Sequence, residues 1–317
     1  MEFFSLFLGI VGLWLGAEVA IRGALKIGDR YKISHGFLGL TVLAIGTDIP
    51  ELFISIFTAL RRSDGIATSE LVIGGTIGTS FSQIGLMLGI IGLIGVLTFS
   101  RKKIMRDGLM LSGSILLFFI ASLDGVITQT EGIIMIILYS AYFLNLLREE
   151  KLHEKFRIRS KHSHFWSITF VISGFVLLYY AANQTVESAL HISAQWGLSQ
   201  GLIGATIVGL GTSLPELATA ITAIKKRAGD MAAGNLIGST IFDVLFTIGI
   251  GSAIAEITIE RHFLRFDIPV LFLLSILVVL FFFRKERLSK GAAILLIAIY
   301  LVYLLITLSE IFPLLSL

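Results

Sequence analysis

Two segments of this chain each place a carboxylate directly after a proline inside apolar sequence. Residues 36–52 read GFLGLTVLAIGTDIPEL and residues 201–217 read GLIGATIVGLGTSLPEL, and eight of the 17 aligned positions are identical. The matched residues include Gly46 and Gly211, Thr47 and Thr212, Pro50 and Pro215, and Glu51 and Glu216. The chain has only four prolines, so two of them stand in equivalent places. A proline inside a helix removes a backbone donor and leaves a carbonyl without its partner. Beside a carboxylate and a threonine hydroxyl, such a carbonyl completes a set of hard oxygen donors. The chemistry this suggests is cation binding.

A second pair of segments extends the set. GGTIGTSFSQIGLMLGI at 74–90 aligns with GNLIGSTIFDVLFTIGI at 234–250. The first contributes Thr79, Ser80, Ser82 and Gln83, and the second Ser239, Thr240 and Asp243. Calcium takes about 6–8 oxygens. Glu51 and Glu216, if bidentate, supply four of these, and the carbonyls of Thr47 and Thr212 two more. The hydroxyl and amide oxygens around them suit sodium. The chain has no Cys, and its six His are scattered, which leaves no site for a softer metal. The same inventory offers no nucleophile–base pair, so no enzymatic reaction and no resident cofactor are expected.

The elements that position these residues follow from composition. Of the 317 residues 55% are hydrophobic and 15% charged, with a mean hydropathy of +0.90. Soluble domains carry about 25% charged residues. Apolar stretches of about 20 residues, each able to cross a bilayer core, recur along the chain. Spans are predicted near 3–25, 37–60, 68–98, 107–124, 128–147, 165–190, 199–224, 231–256, 264–283 and 291–308. The N-terminal segment has no basic region and no small-residue cleavage site, and reads as a retained first span. The third and eighth spans are long and glycine-rich, which makes them candidates for a bend or break. The fold class is all-α, a polytopic membrane protein of about ten helices.

The basic residues encode an orientation. The loops after spans one, three, five, seven and nine hold 20 of the 25 Lys and Arg. The opposite side has Arg61, Arg62, Arg261 and Arg265, and Arg22 lies within span one. Positive loops stay in the cytoplasm, so both termini are expected outside a cell membrane, plasma or inner. Lys and Arg distributed in this way mark topology and give no nucleic-acid surface. The expected partners are small inorganic cations and the lipid bilayer. Residues 148–164 (REEKLHEKFRIRSKHSH) form a polar cytoplasmic linker, whose His153, His162 and His164 are too irregular for a metal site. They separate a first five-helix repeat, 1–147, from a second, 165–317. Five is an odd number, so the second repeat enters the membrane upside down. Inverted repeats are a mark of secondary transporters, with the ion site near the midplane.

An acid at mid-membrane costs about 2.5–3.5 kcal/mol on insertion scales. Asp48 and Asp243 are expected at the depth of Glu51 and Glu216, so the four together cost on the order of 10 kcal/mol. A lone buried acid is as readily a protonated structural group as a ligand. Duplication of Gly-Thr-x-x-Pro-Glu is not explained by structure alone.

With these motifs the chain resembles the calcium/cation antiporter superfamily, which includes the sodium/calcium exchangers. The second half is the better copy, with GTSLPEL at 211–217 and GNLIGSTIFDVL at 234–245. The resemblance implies alternating access, with calcium on Glu51, Glu216 and the backbone oxygens of Thr47 and Thr212. It also implies sodium sites that share these ligands and add Ser213, Ser239 and Asp243. The metal-binding set drawn from spacing and resemblance together is Thr47, Asp48, Glu51, Thr79, Gln83, Thr212, Ser213, Glu216, Ser239 and Asp243. The first half departs from the family pattern at Asp48, where a small residue such as Ser is common, at Gln83, where Asn or Asp is common, and at Gly75, where Asn is common. Four ionised carboxylates around one divalent ion leave two negative charges over, which a low-dielectric site resists. The resemblance therefore leaves proton or potassium coupling, and a divalent substrate other than calcium, as alternatives. A channel is the other reading, separated from an exchanger by the dependence of flux on ions at the far side.

Overall fold

Helices dominate the computed structural model, which describes residues 2–30, 44–151, 164–225 and 227–309. In chain order they are α1 (Glu2–Arg30), α2 (Ala44–Thr47 and Ile49–Ser63), α3 (Ser69–Ile94), α4 (Arg101–Ala121), α5 (Gln129–Lys151), α6 (His164–Trp196), α7 (Gln200–Lys225), α8 (Gly229–Ile254), α9 (Phe263–Lys285) and α10 (Lys290–Ser309). Among the described residues nine of these are long and apolar enough to cross a membrane. The remaining helix, α2, is the described part of the second predicted span, 37–60. Gly36, Gly39 and Thr41 of the repeated segment lie outside the described residues. So do Lys226 and residues 152–163 of the linker, with His153 and His162.

The second and seventh helices are interrupted one residue after the repeated threonine. Asp48 (φ −87°, ψ 0°) separates the two pieces of α2, and Ser213 (φ −82°, ψ −1°) separates Gly209–Thr212 from Leu214–Lys225 in α7. Pro50 and Pro215 stand in the first turn of the following piece, where a missing N–H is tolerated. Pro215 cannot donate to Gly211 four residues earlier. The indole Nε1 of Trp14 on α1 donates to that carbonyl instead, at 3.1 Å. The oxygen released at this turn is thus satisfied by protein.

The bend expected in the third and eighth spans takes a subtler form. Both helices run unbroken, but each widens into a π-turn, at Ser82–Met87 in α3 and Asp243–Thr247 in α8. These two helices are the most enclosed spans, 78% and 72% buried, so their π-turns lie in the interior of the bundle. Around them the other helices turn large apolar side chains outward, among them Phe4, Leu273 and Leu305, as lipid contact requires.

The repeat is visible in how the helices meet. α3 and α7 touch backbone to backbone: a Cβ on Gly74 would lie 2.2 Å from the Gly201 carbonyl oxygen, and one on Gly78 would lie 2.1 Å from that of Ala205. Only glycine permits this approach. α1 and α6 run antiparallel along a seam where Gly9, Gly12 and Gly16 meet Thr185, Ala181 and Leu178. At one end of α4, Val126 and Ile127 pair antiparallel with Thr258 and Ile257. At its other end Thr98 pairs with Arg287, supported by Phe99 N–H to the Glu286 carbonyl at 2.9 Å and Leu288 N–H to that of Leu97 at 3.0 Å. The same connection therefore occurs once at each end of the bundle, as two inverted halves demand.

Candidate cation site

The two helix breaks and the two π-turns converge on one buried polar centre. Asp48 and Glu51 come from α2, Glu216 from α7 and Asp243 from α8, with relative exposures of 1%, 7%, 0% and 0%. Asp48 lies beside Glu216 and Ser239, and Glu51 beside Thr212. Each of the four acids is within range of the charge of others in the group. Both carboxylate oxygens of Glu51 and of Glu216, and one each of Asp48 and Asp243, have no hydrogen-bond partner among the described residues. Buried polar atoms are nearly always partnered, and a buried charge left alone is very costly. Six orphaned carboxylate oxygens in one place need positive charge, whether cations or protons.

Neutral oxygens surround the acids. Thr212 donates to the Val208 carbonyl at 3.0 Å, Ser213 to that of Gly209 at 2.6 Å, and Thr79 reaches across from α3 to the same Gly209 carbonyl at 3.3 Å. Each hydroxyl proton is committed to backbone, so the oxygen's lone pairs are what remains for a ligand. Thr47 is buried at the end of the first piece of α2. Ser80, Ser82 and Ser239 are buried, and their hydroxyls have no hydrogen-bond partner among the described residues. Gln83 is fixed from both sides: its Nε2 donates to Asp243 at 3.2 Å and its Oε1 accepts from Thr240 at 2.7 Å.

All ten residues singled out from the sequence are therefore buried, and all lie on the helices that meet at this centre. No three of the acids already stand at the spacing of a closed metal cage. A cation here would draw the carboxylates together and take its remaining oxygens from Ser, Thr, Gln and backbone groups, and the donors present fit that demand. From Glu51 a small cavity of about 20 Å³ extends between α3 and α7, with Gly75, Thr76, Thr79, Gly209, Thr212 and Thr247 among its lining residues.

Sequence reasoning passed over three residues that shape this centre. Trp14 takes up the carbonyl released by Pro215. Ser55, one turn after Glu51, donates to the Thr247 carbonyl at 2.8 Å and ties α2 to α8. Thr247 itself lines the cavity. Each occurs in only one half of the chain, within an apolar run, so a search for repeated polar residues does not find it.

Comparison with known proteins agrees over almost the whole chain. The family described as "Sodium/calcium exchanger protein" matches residues 1–148 and 166–309. The sodium/calcium exchanger MaX1 of Methanosarcina acetivorans is 25% identical over 96% of this chain and 98% of its own length. An inner membrane protein of Escherichia coli, YrbG, is 27% identical over 93% and 94%. Among solved structures, the sodium-calcium exchanger NCX_Mj soaked with Na+ and Sr2+ superposes with a TM-score of 0.66 at 26% identity, covering 95% of this chain and 97% of that one. On the evidence of a match that takes in both halves, this chain belongs to the sodium/calcium exchanger protein family.

Proposed function

We propose that this protein exchanges calcium for sodium across a cell membrane by alternating access, with Glu51 and Glu216 holding calcium. The observation that carries this reading is the set of six unpartnered carboxylate oxygens buried where the two helix breaks meet. Family membership supports cation exchange, and the printed names of MaX1 and NCX_Mj supply the sodium–calcium pair for those relatives. In this reading Thr47, Thr212 and Ser213 lend oxygens at the breaks, while Thr79, Ser239, Gln83 and Asp243 complete the sites that sodium takes once calcium has left. Occupancy by one kind of ion neutralises the acids and lets the closed protein reorient. The halves are divided at the linker, 148–164, which faces the cytoplasm with both termini on the other side. No catalytic step and no resident cofactor enter this cycle.

Asp48 favours one specific second reading. A fourth acid beside Glu216 calls for one more positive charge per cycle, which a proton or a potassium ion would supply. The test is calcium uptake into proteoliposomes of the purified protein under imposed sodium, potassium or proton gradients. Uptake driven by an outward sodium gradient is expected. Uptake that follows only the proton gradient would replace sodium with protons, and flux indifferent to ions on the far side would make the protein a channel.

A further inference from the structure

The alignment that pairs residues 74–90 with 234–250 carries on into the next helix of each half, where Asp107 of α4 meets Asp267 of α9. The two acids match closely. Each lies in a π-turn near the start of its helix, Ile104–Gly108 and Phe263–Asp267, and each is 6% exposed. Each is hydrogen-bonded by a tyrosine from the following helix, Tyr142 of α5 at 3.0 Å and Tyr303 of α10. One difference separates them. Arg106 closes the Asp107 carboxylate with two bonds, Nε to Oδ1 at 2.6 Å and Nη2 to Oδ2 at 2.9 Å. The residue aligned with Arg106 is Phe266, which brings no charge. Asp267 instead lines a cavity of about 210 Å³, together with His262, Phe263, Phe266, Tyr303 and Thr307. Tyr303 is fixed in that wall by stacking on Phe81 of α3, with ring centroids 3.7 Å apart. None of the four central acids lines this cavity.

We infer that this cavity binds a small organic cation of the guanidinium class, which takes the place that the Arg106 side chain has in the other half. The first half is the template: a carboxylate buried beside a tyrosine there accepts a guanidinium fork through both oxygens, the geometry for which that planar group is suited. The walls favour an organic cation, because Phe263, Phe266 and Tyr303 line them with aromatic rings, which attract cations of low hydration. The volume takes several water-sized particles, enough for a planar cation of a few heavy atoms. A bare metal ion fits less well, since among the described residues no three acids or histidines stand at metal-ligand spacing. The surrounding charges admit a cation. His262 is matched by its own carboxylate, Nδ1 to Glu260 Oε2 at 3.4 Å. Glu70 stands at the same end and accepts from the N–H of Gly201, a lining residue, at 3.5 Å. Arg261 and Arg265 are exposed and do not line the cavity. The inference is independent of the reading of Glu51 and Glu216.

The test is saturable binding of radiolabelled methylguanidinium to the purified full-length protein in detergent, at constant ionic strength. Unlabelled methylguanidinium should displace the label, whereas N-methylurea, of similar shape but neutral, should not. Asp267→Asn removes the charge and should weaken binding at least roughly tenfold. Phe266→Arg supplies the guanidinium internally, as Arg106 does in the first half, and should abolish binding with the carboxylate still present. Melting curves and size-exclusion profiles establish that each variant is folded, and Phe266→Arg should melt no lower than the wild type. Absence of saturable binding to the wild type overturns the inference, as does equal displacement by N-methylurea. So does wild-type affinity in either folded variant. Calcium or sodium that displaces the label would place the cation at the four-acid centre and overturn the assignment to Asp267. These competition arms need no variant, so they decide the matter even where a substitution prevents folding.

Discussion

Gln83 and Asp243 occupy the same position in the two repeats and hydrogen-bond to each other across the centre, Gln83 Nε2 to Asp243 Oδ2 at 3.2 Å. The inverted halves thus meet at equivalent residues, one neutral and one acidic. The asymmetry is functional in form. Two acids at this contact would repel, and two amides would remove a charge from the site. Thr240 fixes the amide by donating to its oxygen at 2.7 Å, so the nitrogen is the group turned toward Asp243.

Gln83→Leu keeps most of the volume and removes both bonds. A hydrogen bond to a buried charge contributes about 1.5–3 kcal/mol, so transport should fall by at least about tenfold. Gln83→Glu sets a second acid against Asp243 and should lower thermal stability further than Gln83→Leu does. Flux assays and melting curves in detergent check both. A Gln83→Leu protein with unchanged flux would show that the contact is dispensable.

Much of this centre can be read from the chain because it is written twice. Pro50 and Glu51 match Pro215 and Glu216, and in a lipid-facing sequence neither a proline nor an acid is cheap. The ten helices follow from hydropathy for the same physical reason: a bilayer forbids irregular backbone exposed to lipid. What escapes notice lacks a sequence signature. A π-turn inserts one residue into a helix and leaves no compositional trace, so the glycines of α3 and α8 suggest a break where the helices only widen. Trp14, Ser55 and Thr247 act through single contacts that appear only once α1 lies on α7 and α2 on α8.

Glu51→Gln and Glu216→Gln should each abolish calcium transport, a loss of at least about a hundredfold. Each change removes a full charge and an oxygen from a buried ion ligand, and charge-assisted contacts of this kind are worth several kcal/mol. Both variants should remain folded, since neutralising one of four clustered acids relieves repulsion. Flux together with size-exclusion behaviour measures this. Near wild-type exchange in either variant would remove that residue from the site.

Glycine substitutions separate packing from helix propensity. Gly78→Ala drives a methyl group into the Ala205 carbonyl at the α3–α7 contact, whereas a Cβ on Gly113 meets nothing within 4 Å. Overpacking costs about 1–3 kcal/mol, and Ala in an open helical position gains up to about 1 kcal/mol over Gly. Gly78→Ala should therefore lower the melting temperature and Gly113→Ala should hold or raise it. A stable Gly78→Ala protein would mean that α3 and α7 do not touch so closely.

Orientation can be measured directly because the chain has no Cys. Asp124, in the α4–α5 connection, and Lys285, the last residue of α9, are both exposed and lie at opposite ends of the bundle. With the basic loops inside, Asp124→Cys should react with an impermeant maleimide added to whole cells, and Lys285→Cys only after permeabilisation. The reverse pattern would invert the assignment and place both termini in the cytoplasm.

Asp48 and Ser213 share one backbone geometry, with φ and ψ within a few degrees of each other, but only Asp48 carries a charge. Asp48 is 1% exposed and lies beside Glu216 and Ser239, so its charge falls within the cluster and water does not screen it. Three ionised acids with one calcium leave a single negative charge, and four leave two. The low-dielectric centre tolerates the second only if a proton or a further monovalent cation accompanies it. Asp48→Ser makes the first break match the second and removes that requirement, while both Glu ligands and their threonines stay in place. Exchange should survive, with calcium flux less dependent on monovalent cation concentration. The half-maximal point of the pH profile should move by about one unit, which corresponds to about 1.4 kcal/mol of altered proton affinity. The measurement is flux against pH at several sodium and potassium concentrations for both proteins. Superimposable profiles would strip Asp48 of any coupling role and leave it as a structural acid buried beside Ser239.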